Sequence, residues 1–325
     1  MTRPAKPAVA VVPVRTFLVG SGTFALPVFE AILAQPALVV VGVLAPPDRP
    51  TGRHHAIKPV PVAALARQRG LNLLQPDRLR VPETVAAIRD LNADFGILAD
   101  FGRIVPESIL ELFDEGILNV HPSLLPRHRG ATPIAATIMA GDTVAGVSIM
   151  RMNAGLDTGP LVGSRWWPLL GSETTPELEG RAARQGAELI TEVIEPYLRG
   201  EITPLEQDET SATLTRPLRR SDGRLDPGRP AELLERQVRA FLPWPGSYLE
   251  SPSGRVTVLR ASIAPAETRD RPGELVADGN GLALATAEGR LRLIEVKGEG
   301  GRAMPSAAFR RGHPAFVGQL VLGTR

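Results

Sequence analysis

Apolar positions along the chain follow two regimes. As far as about residue 152, short runs rich in Val, Leu and Ile alternate with stretches whose apolar residues recur every three or four positions. Residues 15–20 (Arg-Thr-Phe-Leu-Val-Gly) form a run that ends at glycine, and 38–44 form a second, valine-rich run. Runs at 71–74, 93–99, 117–120 and 145–152 predict further strands. Helical spacing appears at 25–34, 60–68, 81–91, 106–112 and 132–140. Strands that are apolar throughout, rather than at every second position, are buried on both faces. Strand and helix in alternation therefore predict an α/β domain with a mostly parallel sheet covered on both sides. A longer helical pattern, 175–198, packs on the end of that domain.

The second regime begins near residue 200. Residues 200–226 are polar, rich in Arg and without periodicity, which makes them the candidate linker. A helix over 231–240 follows. Short runs then come at 247–250, 256–264, 273–276, 282–286 and 291–296, separated by Ser-Gly, Asp-Gly-Asn-Gly and Glu-Gly turns. That spacing predicts a small antiparallel barrel. The expected division is 14–199, a linker at 200–226, and 227–325.

Composition narrows the chemistry. A chain of 325 residues with 43% hydrophobic and 22% charged residues suits a globular protein of two domains. The absence of cysteine excludes disulfides, thiolate metal sites and cysteine nucleophiles. Five histidines are present, and only His54-His55 are adjacent, so no metal is expected. No apolar run approaches the ~20 residues that span a bilayer. Residues 8–20 contain Pro13 and Arg15 and read as an irregular start and a first strand, not a signal peptide. The expected compartment is the cytoplasm. A net charge of +2 says little by itself. Arg216, Arg219, Arg220 and Arg224 crowd a segment with one acid, Asp222, and read equally as a phosphate-tracking patch or a solvated linker.

Three segments carry candidate chemistry. Gly20-Ser21-Gly22-Thr23-Phe24-Ala25 fits a loose dinucleotide fingerprint, with Asp48 as its acid. Asp48 lies beyond the second strand in a Pro-rich loop and Pro27 enters the first helical turn, so a tight turn explains these glycines better than a nicotinamide cofactor. The loop 46–55 is long and polar, poorly suited to regular structure, and its Arg49 and Arg53, with the nearby Lys58, can reach phosphate. The third segment is Asn119-Val120-His121-Pro122-Ser123-Leu124-Leu125-Pro126. Residues two apart on a strand point the same way, so Asn119 and His121 project together from its end. Asp157, in the Gly-flanked loop Asn153-Ala154-Gly155-Leu156-Asp157-Thr158-Gly159, supplies a carboxylate. Two N–H donors beside a carboxylate suit acyl transfer to an amine, where the amine is the nucleophile and the charge develops on oxygen.

These residues, with the loop Ser-Leu-Leu-Pro-x-x-Arg-Gly at 123–130, resemble the 10-formyltetrahydrofolate-dependent formyltransferases. Pro47-Asp48-Arg49-Pro50-Thr51-Gly52-Arg53, Leu156-Asp157-Thr158-Gly159, Gln207-Asp208-Glu209-Thr210, Gly223-Arg224-Leu225-Asp226 and Phe241-Leu242-Pro243-Trp244-Pro245 are similar to the members that act on methionyl-tRNA. The resemblance runs from about Phe17 to the end of the chain. It implies a Rossmann-like catalytic domain followed by an OB-like β-barrel that binds tRNA. It implies transfer of formyl from 10-formyltetrahydrofolate, a co-substrate, to the α-amine of initiator methionyl-tRNA, with no metal and by a monomer.

It further implies that Asn119 and His121 stabilise an oxyanion while Asp157 sets the state of His121 and relays a proton. Ser123, Leu124, Leu125, Pro126, Arg103, Val105 and Gly155 would contact the folate, and Arg49, Arg53 and Lys58 the tRNA. The chain departs from the family's usual residues at Ser21-Gly22, at His54-His55, at His128 and at Pro227. The alternatives are a formyltransferase acting on an amino sugar nucleotide or a purine precursor, a nicotinamide-dependent dehydrogenase, and an OB-type nucleic-acid-binding module.

Overall fold

The run that ends at Gly20 lies inside a sheet in the computed structural model, which describes residues 13–51 and 56–321. Along the chain the first elements are β1 (Val14–Gly20), α1 (Ala25–Leu33), β2 (Leu38–Leu44), β3 (Arg49–Thr51), β4 (Ala56–Lys58), α2 (Pro61–Gln68) and β5 (Leu73–Leu74). They continue with α3 (Pro82–Arg89), β6 (Phe95–Ala99), α4 (Glu107–Leu110), β7 (Ile117–His121), β8 (Arg129–Gly130), α5 (Pro133–Ala140), β9 (Val144–Arg151), β10 (Leu161–Pro168) and α6 (Thr175–Leu198). After these come β11 (Leu214–Thr215), α7 (Ala231–Ala240), β12 (Ser247–Ser251), β13 (Gly254–Ala264), β14 (Leu275–Asp278), β15 (Gly281–Ala285), β16 (Arg290–Gly298), β17 (Ala303–Pro305) and α8 (Ser306–Gly312).

The chain divides into two compact units. One takes in the chain up to Arg129 with Gly146–Trp166 and Gly180–Thr213; the other takes in Gly130–Ala145, Trp167–Glu179 and the chain from Leu214. The first is built on a seven-stranded sheet in the order β10-β9-β7-β6-β1-β2-β5. β1 pairs in parallel with β2 and β6, β2 with β5, and β6 with β7. The order turns antiparallel at β7 and β9. Strands β6 and β7 are buried at every position, as their unbroken apolar runs require. Phe17, Val19, Leu44, Ile88, Leu98, Ile109 and Ile117 form one core, into which α3 and α4 send Ile88 and Ile109. Pro82 and Glu83 in the first turn of α3 leave no N–H wasted and place an acid at the positive helix end.

Two elements differ from expectation. β10 went unforeseen because its sequence carries no regular apolar period, with Val162 and Trp167 buried five residues apart and Trp166 exposed. The long loop over 46–55, expected to be irregular, is flanked by a paired hairpin in which Arg49 faces Lys58.

In the second unit the sheet runs β12-β13-β16-β15-β14, with β17 added to β16, and all of its pairings are antiparallel. It is a half-barrel with β12 and β14 at its ends, the small antiparallel β domain expected here. Register shifts on either side of Arg260 in β13 bend the strand and curve the sheet. Its concave core holds Leu234 and Val238 of α7, Phe309 of α8, and Val258, Leu284, Leu291 and Val296 of the sheet. α8 and β17 were not read from the pattern.

Candidate active site

β7 runs parallel to β6, so its last residues open onto the carboxyl edge of the parallel strands, the place where α/β sheets take ligands. Asn119 and His121 stand there on one face of the strand and are 6% and 5% exposed. The loop after β9 brings Asp157 to them. Asn119 Nδ2 lies 3.5 Å from Asp157 Oδ1, and His121 Nδ1 lies 3.7 Å from Asp157 Oδ2. Both nitrogens thus look onto a single carboxylate, at distances that leave room for adjustment.

The opposite ring nitrogen fixes the histidine. His121 Nε2 is 3.1 Å from the His128 carbonyl oxygen, which can only accept, so Nε2 carries the proton. Nδ1 is the nitrogen left for chemistry. Burial pushes the imidazole below its ordinary range, while the Asp157 carboxylate and the His128 carbonyl pull the other way. The ring is therefore neutral at pH 7, with a carboxylate beside it that favours taking up a proton.

Both loops are shaped by local bonds. The Ser123 hydroxyl donates to the Arg127 carbonyl at 2.7 Å. The Ser148 hydroxyl of β9 donates to the Ser123 carbonyl and accepts from the Leu125 N–H, at 2.8 and 3.0 Å. In the second loop the Asn153 carboxamide oxygen accepts from Gly155 N–H and Thr158 hydroxyl, closing an Asx-type turn. Asp157 itself has φ +52°, in the left-handed region.

The profile of the formyl transferase family matches residues 14–194, and that of its C-terminal domain matches residues 217–314. The chain belongs to the formyl transferase family. It is 39% identical over 301 residues to the methionyl-tRNA formyltransferase of Chloroflexus aggregans, covering 92% of this chain and 97% of that protein. It is 40% identical over 305 residues to the enzyme of that name from Thermus thermophilus, covering 94% and 98%. Among solved structures, HypX from Aquifex aeolicus in complex with tetrahydrofolic acid shares the fold, with a TM-score of 0.58 at 16% identity. That match covers 91% of this chain and 46% of HypX.

The remaining expected residues of this formyl transferase fall into groups. Leu125 is buried, and Leu124, partly buried, lies against Gly146 of β9. The Leu125–Pro126 peptide is cis. The Arg103 guanidinium donates to the carbonyls of Pro76 and Asp77 at 3.1 and 2.8 Å, so its side chain braces a neighbouring loop. Val105 is buried in the core, and Gly155 is exposed. Arg49 and Lys58 are exposed on the hairpin. Arg53, His54 and His55 lie outside the described residues.

The first glycine turn is folded onto the strand beside it. Ser21 N–H and Gly22 N–H both donate to the Asp100 carbonyl, at 2.9 and 3.4 Å. A Cβ on Gly22 would sit 1.8 Å from the Asp100 carboxylate. These glycines serve close packing. Asp48 is likewise used internally, receiving bonds from Arg67 and Gln75 at 2.8 and 2.7 Å that hold its carboxyl below the usual range.

Sequence reasoning missed two roles in this region. The carbonyl that orients His121 belongs to His128, a backbone function no side-chain motif announces. Arg129 and Gln207 are buried at 3% and 8% exposure although their types favour the surface, and only their recurrence inside quoted motifs marked them.

Proposed function

We propose that the protein transfers the formyl group of 10-formyltetrahydrofolate to the free α-amine of initiator methionyl-tRNA. The observation that carries this reading is the convergence of Asn119, His121 and Asp157 at the end of β7. The likeness to methionyl-tRNA formyltransferases over nearly their full length supports the choice of acceptor.

The α-amine attacks the formyl carbon, and the formyl oxygen takes up the negative charge. Asn119 Nδ2–H donates to that oxygen. The amine gives up a proton, which Asp157 relays to His121 Nδ1, where the charge on oxygen and the carboxylate together favour the protonated ring. Its Nδ1–H then becomes the second donor, while Nε2–H remains on the His128 carbonyl. The bond from carbon to N10 of the folate breaks, N10 takes that proton from His121 by way of Asp157, and formylmethionyl-tRNA and tetrahydrofolate leave. Preorganised donors aimed at a developing oxyanion are the largest single contribution in many enzymes. No protein nucleophile takes part, in keeping with a chain that lacks cysteine.

Ser123, Leu124, Leu125, Pro126, Arg103, Val105 and Gly155 border the folate in this reading. Arg49, Arg53 and Lys58 meet the tRNA. Arg49 and Lys58 face one another across the hairpin, and two like charges opposed on neighbouring strands cost stability unless an anion joins them. A phosphate backbone supplies that anion. Residues 14–199 form the catalytic domain, 200–226 the linker and 227–325 the tRNA-binding domain. The protein acts as a monomer in the cytoplasm, where charged tRNA and folate meet.

Incubation with 10-formyltetrahydrofolate and charged initiator tRNA tests the reading, with free methionine and an amino sugar nucleotide as controls. The expected product is formylmethionyl-tRNA alone. Formylation of the sugar nucleotide in its place would overturn the acceptor assignment. Light scattering at working concentration tests the monomer.

A further inference from the structure

The carboxamide of Gln207 is committed at every valence. Its oxygen accepts from Arg129 Nε and Nη2 at 3.0 and 2.8 Å. Its nitrogen donates to the Asp157 carbonyl at 2.9 Å and to the Gly159 carbonyl at 2.7 Å. Arg129 is itself buried, and its Nη1 and Nη2 bind the Glu209 carboxylate at 2.9 and 2.7 Å. A flipped amide would set its NH2 against guanidinium donors and its oxygen against two carbonyls, so only one orientation is possible.

We infer that Gln207, oriented by Arg129 and Glu209, is the positioning residue that holds the Asp157 loop in register with Asn119 and His121. The inference rests on the proposed role of Asp157 as proton relay. The Asx-type turn at Asn153 shapes the loop from within, and Gln207 ties it to the chain 50 residues on. Asp157 sits in the left-handed region, and its carbonyl and that of Gly159 are the two that Gln207 takes. Gly159 is pressed so closely on β9 that a Cβ there would lie 1.8 Å from the Arg151 carbonyl. One side of the loop is thus fixed by backbone packing and the other by the Gln207 amide. The carboxylate between them faces Asn119 and His121 at separations where a shift of an ångström decides contact. Because Arg129 follows the Ser-Leu-Leu-Pro loop, the same link ties that loop to the loop that bears Asp157.

The test compares Gln207→Ala, Gln207→Glu and Asp157→Asn with wild type in the formylation assay. Gln207→Glu keeps an acceptor for Arg129 but turns an oxygen toward the two carbonyls, so it preserves the fold and displaces the loop. A misplacement of ~1 Å typically costs ~100-fold in rate, and both Gln207 variants are expected to lose about 10- to 100-fold in kcat. KM for the folate donor should change by much less than kcat, because Gly155 is the one folate-bordering residue carried by the displaced loop. The titration of His121, followed by NMR, should move further down in both, as in Asp157→Asn, because the carboxylate that favours the charged ring has withdrawn. A merely structural residue would leave that titration in place. If Gln207→Glu keeps wild-type kcat and an unmoved His121 titration while Asp157→Asn is inactive, Gln207 does not position the loop. If Asp157→Asn itself keeps wild-type turnover, the role of Asp157 is wrong, and the inference falls with it.

Discussion

One nitrogen of His121 serves the fold and the other is left for the proposed reaction, and the division follows from a single carbonyl. Because His128 accepts from Nε2, the ring presents Nδ1 toward Asp157 and Asn119. His121→Ala is expected to lower kcat by ~100- to 1000-fold, the usual cost of a lost oxyanion donor, and Asp157→Asn to lower it severely by removing the proton relay, while circular dichroism stays that of the wild type. Near wild-type turnover in either would mean that the site is elsewhere. Burial also makes His121 a pH probe. Its folded pKa is depressed, so its contribution to stability is complete above its unfolded value of about 6.5 and is lost as pH falls toward the folded value. Denaturant midpoints measured between pH 7 and pH 5 should fall more steeply in wild type than in His121→Asn. At this scale the pairing of Asn119 with His121 was legible, because strand alternation fixes which side chains share a face, and Asp157 stood out only as the acid of a Gly-flanked loop. Gln207 and the His128 carbonyl were not, since a buried amide and a backbone acceptor look like ordinary polar residues until the chain closes around them.

Among the elements, the β3–β4 hairpin and the first glycine turn reward separate tests. Arg49→Ala and Lys58→Ala should each raise KM for methionyl-tRNA and spare KM for the folate donor, with the loss shrinking at high salt as phosphate contacts are screened. Equal loss for both substrates would detach the hairpin from the tRNA. Gly22→Ala places a methyl group in the space of the Asp100 carboxylate. It should destabilise by ~1–3 kcal/mol in a denaturant titration, and NADH should produce no fluorescence change in wild type or variant. The strands of the first sheet were readable because burial on both faces leaves an unbroken apolar run. β10 was hidden by the lack of a regular apolar period, and the β3–β4 pairing by sequences too short and too polar to carry one.

On the scale of the molecule, each unit has its own core, one around Phe17 and Ile117 and the other around Phe309 and Val258. Phe309→Ala, at a side chain 1% exposed, should cost ~3–5 kcal/mol in the second unit and leave folate binding by the first unchanged. Loss of folate binding in that variant would mean that the two units do not keep separate accounts of stability. Among the described residues no helix is long and apolar enough to cross a membrane. The sequence by itself determined the class of both units, the strand that ends in Asn119 and His121, and the chemistry those groups can perform, because periodicity and side-chain type are local properties. Only the tertiary structure decided that the second sheet is a half-barrel, that the Gly20 turn is filled by Asp100, and that Gln207 reaches Asp157 from 50 residues away. Those outcomes depend on which distant groups a fold brings within hydrogen-bonding range, and no local pattern encodes that distance.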